Sequence, residues 1–182
     1  MPTGATIRRK SAGLDALTKR LAEVRKLEVA MGYPKEKAYS YPDGTPVVEV
    51  AAAHVFGVGV IARDFMALAK PKIMEQGKEY LKKVASLSAK DADAAMALLE
   101  AAGQMGVNEI RSAIINGAWP PLSDFPMSAA LRERVAASWG KDIPPGMSYR
   151  AAKLKFKGSD KPLVDTGVMA AAAVFVVRER AV

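Results

Sequence analysis

The chain has 182 residues, 50% of them apolar, and its 27 Lys and Arg outnumber its 19 Asp and Glu, for a formal net charge of +8. This length favours one domain, and the apolar fraction excludes wholesale disorder. The absence of cysteine excludes a disulfide scaffold, a thiolate metal site and a cysteine nucleophile, and a single histidine excludes multi-histidine metal sites. Because no apolar run approaches about 18 residues, and no apolar core follows the basic residues near the start, we expect neither a transmembrane helix nor a signal peptide.

The positive charge is concentrated towards the two ends of the chain. Residues 1–26 hold seven basic and two acidic residues (net +5), residues 27–140 hold twelve and thirteen (net −1), and residues 141–182 hold eight and four (net +4). The densest basic run is Arg150, Lys153, Lys155, Lys157 and Lys161. Such a run attracts phosphate by Coulomb attraction and counterion release, but a solvated loop with lysines for solubility explains it equally well.

The first half of the chain predicts three helices and a strand. Apolar residues at spacings of three and four predict a helix over residues 13–27, and alternation predicts a strand over residues 28–33. After a turn-rich connection, a short helix carries His54 and ends at Gly57. A long helix then begins with Asp64 as its N-cap, and Pro71 inside it predicts a kink or a restart.

The second half predicts two more helices and a final strand. The first helix runs from Asp91 to Asn116, where Gly103 and Gly106 either let another backbone approach closely or only weaken the helix. A second covers Ser128 to Trp139, and the final strand spans residues 173–177. We expect an α+β fold in a single domain over residues 1–182, with several helices packed on a small antiparallel sheet, an N-terminal tail at 1–12 and an extended basic loop at 140–162.

No constellation of residues points to catalysis. His54 lies on a small-residue helix without a nucleophile or carboxylate at an informative spacing, so we interpret it as a packed, half-buried side chain. Asp91 and Asp93 fit a helix N-terminus better than a metal site. The glycines at 57 and 59 lack the third glycine of a dinucleotide fold. We therefore predict no enzyme activity, no cofactor and no metal.

Three segments together resemble a known family. They are residues 50–57 (VAAAHVFG), residues 61–66 (IARDFM) and residues 161–167 (KPLVDTG), the last followed by a β-rich end. Their order and spacing resemble the neck and tail-completion proteins (virion morphogenesis, minor tail) of long-tailed bacteriophages over about residues 28–182. The family often has Glu where His54 stands and prolines around the Ile-Arg segment. The residues that carry the resemblance are Phe56, Gly57, Arg63, Phe65, Pro162, Leu163, Asp165, Thr166 and Gly167.

The resemblance implies a structural protein of the phage head-to-tail junction. Such a protein forms a ring of its own copies, typically six-fold, that completes or caps the tail and lines the DNA path. The implied partners are the connector, the tail-tube or terminator proteins and genomic DNA bound without sequence specificity. The implied location is the neck of the virion, after assembly in the host cytoplasm.

The basic run supplies the candidate contacts with DNA or with neighbouring subunits, at Arg150, Lys153, Lys155, Lys157 and Lys161. A channel through which DNA slides should not hold it tightly, so we expect part of this run to face DNA and the rest to pair with acidic partner surfaces. The alternative function is a nonspecific nucleic-acid-binding module that acts through its basic termini.

Overall fold

The computed structural model describes residues 12–41, 43–87, 91–163 and 167–180. Over these residues the chain forms seven α-helices and two strands, which confirms the predicted α+β class. In chain order they are α1 (Ala12–Arg25), β1 (Leu27–Gly32), α2 (Val47–Phe56), α3 (Phe65–Leu87), α4 (Ala92–Asn116), α5 (Ala129–Trp139), α6 (Tyr149–Lys157), α7 (Val168–Ala172) and β2 (Val174–Glu179). None of these helices is long and apolar enough to cross a bilayer.

The two strands form the predicted antiparallel pair. The register places Glu28 opposite Arg178 and Met31 opposite Phe175. On one face, the carboxylate of Glu28 accepts a hydrogen bond from Arg178 Nε at 2.8 Å. On the other, alternate apolar side chains of both strands turn towards the helices. The alternation in the sequence therefore sets which face is buried.

The long helix α4 lies at the centre of the fold. It contacts α3, both strands and α7. Its side chains Val107, Ile110 and Ile114 are almost completely buried, and so is Phe65 at the start of α3. The rest of this core comes from Ala113 of α4 itself and from α2, α3, α7 and the residues on either side of α7, at Val47, Ala51, Ala69, Leu163, Met169, Ala172 and Ala173.

Two glycines let the sheet pack directly on α4. A Cβ placed on Gly103 would lie 2.5 Å from Cγ of Phe175, and one placed on Gly106 would overlap the sulfur of Met31. The close approach that the sequence predicts is therefore real and lies within the chain. It is made by side chains of the strands rather than by another backbone.

Arg111 on α4 fixes the turn between α7 and β2. Its Nε donates to the carbonyl of Ala170 at 3.1 Å, and its Nη2 donates to the carbonyls of Ala173 at 2.9 Å and Ala171 at 3.3 Å. These carbonyls lie at the C-terminal end of α7, where backbone carbonyls lack the usual helical amide partners, although that of Ala170 also accepts from the amide of Ala173 at 3.3 Å. The guanidinium thus ties the entry of β2 to the central helix.

The predicted N-caps Asp64 and Asp91 are confirmed, whereas a restart of α3 at Pro71, one of the two predicted alternatives, is wrong. Asp64 Oδ1 accepts from the amide of Ala67 at 2.8 Å, and Asp91 Oδ1 from that of Ala94 at 2.9 Å. Helix α3 runs unbroken past Pro71. Pro71 lies in the second turn and removes one backbone hydrogen bond, and packing along α4 outweighs that loss.

The extended basic loop predicted at 140–162 is wrong, because the segment contains helix α6. Ser148 caps this helix through its hydroxyl, which accepts from the amide of Ala151 at 3.1 Å, and Gly158 ends it with φ of 72°. Helices α5 and α6 share a second core of Val135, Ile143 and Ala152. The many charged residues of this segment obscure the amphipathic pattern of α6, whose apolar side contributes to this core.

Gly103→Ala should destabilise the protein by about 1–3 kcal/mol, because the added methyl group overlaps the ring of Phe175. Gly77→Ala is the matched control. Gly77 also lies inside a helix, but a Cβ there meets nothing within 4 Å, so this change should stabilise the protein by up to about 1 kcal/mol. Urea unfolding of both variants measures these two changes in the free energy of unfolding. Equal effects would show that the sheet does not press on α4 at this point.

Candidate subunit-contact surface

Residues 56–62, from the last residue of α2 into its connection with α3, form an exposed apolar segment that is here called the apolar loop. Phe56 is 77% exposed, Val58 69% and Ile61 56%. Val60 is also exposed, and the loop contains no charged residue. A group of large apolar side chains held in water is typical of an interaction surface.

Backbone hydrogen bonds close the base of the apolar loop. Gly57 ends α2 in the left-handed region with φ of 71°, and its amide donates to the carbonyl of Ala53. At the other end, the amide of Arg63 donates to the carbonyl of His54 at 2.7 Å. Glycine is favoured at 57 both by this φ and by space, because a Cβ there would lie 3.1 Å from Cβ of Ala62.

The side chain of Arg63 lies beneath the loop and is 4% exposed. Its Nη1 donates to the carbonyl of Ile61 at 3.3 Å and its Nη2 to that of Pro120 at 3.4 Å. Its Nε is buried and has no hydrogen-bond partner within the described residues. Burial lowers the pKa of the guanidinium below its ordinary value. Arg63 thus fastens the apolar loop to the segment that follows α4.

His54 lies close to two cationic side chains. Burial lowers the pKa of His54 below its ordinary value of 6.5, and the positive charges of Arg63 and Lys153 lower it further. Its Nδ1 is buried without a hydrogen-bond partner in the part of the chain that the structure describes. The side chain lines a cavity of about 230 Å³, together with Asp43, Tyr149 and Lys153 among others. This confirms the prediction of a half-buried histidine.

Two of the five predicted basic contact residues are held within the fold. Lys153 is 1% exposed, and its Nζ donates to the carbonyl of Lys161. Arg150 pairs with Asp160 at 2.9 Å and with Asp124 at 3.2 Å, and hydrogen bonds to these carboxylates raise its pKa. Their prediction as contacts with DNA or another subunit is therefore wrong for Lys153. For Arg150 the acidic partners lie in the same chain.

The other three predicted residues keep part of their charge at the surface. Lys155 is exposed, with Nζ 5.1 Å from the ring centre of Phe156. Lys157 is half-buried, with Nζ 5.3 Å from the ring centre of Trp139. Lys161 is exposed, and its Nζ donates to the carbonyl of Ile115 at 3.4 Å. Our sequence analysis missed two further exposed cations of this region, Arg134 and Lys141.

The residues that carry the family resemblance serve mainly to hold the loop and the core. Phe65 is completely buried and meets Tyr33 edge to face, with ring centres 6.4 Å apart. Leu163 is buried and Pro162 half-buried, and Gly167 precedes α7 with φ of 73°. Phe56 alone of the described set is a large side chain displayed to solvent. Asp165 and Thr166 lie outside the described residues.

Beside the apolar loop lies a groove of about 490 Å³, here called the methionine groove. Both flanks of the loop belong to it, because Val55 and Asp64 are among its lining residues. The other lining residues are Val29, Met31, Met66, Ala67, Lys70, Ile73, Met74 and Ile110. Sequence reasoning missed this groove, since its walls come from β1, α2, α3 and α4. No local pattern in the sequence indicates a groove assembled from these four elements.

Comparison with known proteins adds no relative. A scan against protein-family models, a search of curated proteins and a search of solved structures find no match. Within the described residues, no group of three or more His, Asp or Glu side chains is placed to hold a metal ion.

The free energy of unfolding should decrease as the pH falls below about 6.5, because the unfolded chain binds a proton at His54 there whereas the folded chain does so only at lower pH. This stabilisation is fully present above the unfolded pKa and is lost as the pH falls through the folded pKa. Urea unfolding between about pH 7.5 and about pH 5.5 measures the slope. In His54→Gln, which does not titrate, the slope should flatten. An unchanged slope would assign it to other groups.

Arg63→Lys should destabilise the protein by about 1–3 kcal/mol, because an ammonium cannot reach both carbonyls that the planar guanidinium bonds and leaves buried polar groups unpaired. Amides of the apolar loop should also exchange faster with deuterium. The matched control is Arg134→Lys at an exposed position. If both variants unfold and exchange like the parent protein, Arg63 does not hold the loop.

Proposed function

We propose that this chain is a structural subunit of the head-to-tail junction of a long-tailed bacteriophage. Its copies form a ring, typically six-fold in the family it resembles, that completes or caps the tail and surrounds the DNA path. Its neighbours in the virion are the connector and the tail-tube or terminator proteins. On this proposal it reaches the neck of the virion after assembly in the host cytoplasm.

The observation that carries the proposal is the exposed apolar loop held on a fixed base. Phe56, Val58 and Ile61 are all more than half exposed. Their exposure lowers the solubility of the free protein. Gly57 and Arg63 hold the loop in one conformation. A preformed apolar projection loses little entropy on association. This supports a protein that acts through subunit contact, and the loop contains two of the residues on which the resemblance depends, Phe56 and Gly57.

The charges favour this role over that of a dedicated nucleic-acid-binding module. Arg150 and Lys153 are held by groups of the same chain. Exposed cations remain on the pair α5 and α6 and just beyond it, at Arg134, Lys141, Lys155 and Lys161. A few separated charges support weak, salt-sensitive contact with phosphate of the kind that lets DNA slide.

The direct test is to stop translation of this gene with an early nonsense codon in the phage genome that carries it. Infected cells should then accumulate heads and tails that fail to join, and suppression of the codon should restore joined particles. Electron microscopy and plaque counts measure both. Antibody labelling should place the protein at the neck. Normal particles without the protein would overturn the proposal.

A salt titration separates the nucleic-acid alternative. The ring subunit should bind duplex DNA weakly and without sequence specificity, and Lys155→Gln with Lys161→Gln should weaken this binding further. A dedicated binding module should instead show a steep dependence on salt and useful affinity near physiological ionic strength. Glu79→Gln, a substitution at an exposed position of α3, is the control for effects of mutagenesis and purification. Tight binding at physiological salt, together with normal particle assembly in the absence of the protein, would favour the binding module.

A further inference from the structure

We propose that the apolar loop of one copy of this chain docks into the methionine groove of a second copy. The inference deepens the proposed function, on which it rests, by naming the partner of the exposed loop. It follows from the presence of an exposed apolar loop and a largely apolar groove on the same chain.

The loop and the groove are chemically matched. The loop presents one phenylalanine and three β-branched side chains and has no charge. The groove is lined mainly by aliphatic side chains, including Met31, Met66 and Met74. Methionine side chains have three rotatable bonds and a polarizable sulfur, so a methionine wall adapts to an incoming apolar side chain. The volume of about 490 Å³ accommodates several such side chains at once.

The placement favours another copy as the occupant. The loop rises from the edge of the groove, since Val55 and Asp64 both flank the loop and line the groove. Within one chain the loop lies outside the groove, because none of residues 56–62 is among its lining residues, and the bonds of Arg63 and Gly57 hold the base of the loop. In a closed ring, each copy would give its loop to one neighbour and receive the loop of the other neighbour in its groove.

The charges at the groove are also complementary between copies. Asp64 and Lys70 both line the groove and both are exposed. They carry opposite charges, and neither forms an ion pair among the described residues. When two copies meet groove to loop, the acidic side chain of one can approach the basic side chain of the other. An interface that repeats around a ring needs such complementarity between two different surfaces of the same chain.

The absence of cysteine permits a direct test by disulfide trapping. One preparation carries V58C in the loop, and a second, tagged for a different mass, carries M74C in the groove. The two are mixed under mild oxidation, and the mixed disulfide is measured by mass. The control mixture pairs V58C with L81C on the same helix. Leu81 is 58% exposed and Met74 54%, so the two thiols are equally accessible.

The V58C–M74C disulfide should form at least about tenfold faster than the V58C–L81C disulfide, because docking raises the local thiol concentration. Adding I61D to the V58C chain should abolish the difference by placing a charge in an apolar contact. Adding V48D, at an exposed position of α2, should preserve it. Circular dichroism confirms that each variant folds. Equal rates in both mixtures, in solution and in assembled particles, would overturn the pairing.

The outcome is separable from that of the proposed function. A preferred V58C–M74C disulfide in a protein that is absent from phage particles would support docking of the loop into the groove but contradict the proposed location in the neck of the virion. A protein found in the neck whose V58C and M74C fail to cross-link preferentially would retain the neck and reject the pairing.

Discussion

A two-stranded sheet has too little surface to be stable alone, and here it packs mainly on one helix, α4. Helix α4 supplies the wall against which β1 and β2 pack, and the missing side chains at Gly103 and Gly106 admit Phe175 and Met31. The same helix holds α3 along its length and, through Arg111, the end of α7. Any shift of α4 would therefore change the packing of both strands, of the groove and of the start of α3.

The surface proposed for assembly is built as an extension of that core. Phe65 is buried in the core three residues after the apolar loop ends, and Val55, immediately before the loop, packs against the same core. Arg63 lies between them and joins the loop to the carbonyl of Pro120. The apolar side chains are thus exposed because both neighbouring positions are anchored. Exposure at this position is a property of the fold, and it gives the loop a fixed direction from which to contact another chain.

The sequence predicts what depends on local pattern. Helix caps at Asp64 and Asp91 and the pairing of the two strands follow from spacing, and the structure confirms them. Helix α6 escaped prediction because Pro144, Pro145 and a dense set of lysines indicate a loop, although Ser148 and Gly158 bracket it as cap and terminator. The methionine groove could not be predicted, since four elements distant in sequence line it. The burial of Lys153 could not be predicted either, because tertiary packing decides whether a lysine is buried.

The pairing of β1 with β2 also sets the time at which the fold can close. Glu28 and Arg178 are 150 positions apart, and β2 follows every other described element along the chain. During synthesis, α3 and α4 emerge long before the strand that covers the glycine face of α4. Contacts between residues so far apart slow folding, because a large loop must close before they form. Until β2 is made, the nascent chain exposes an apolar stripe on its central helix that chaperones can bind.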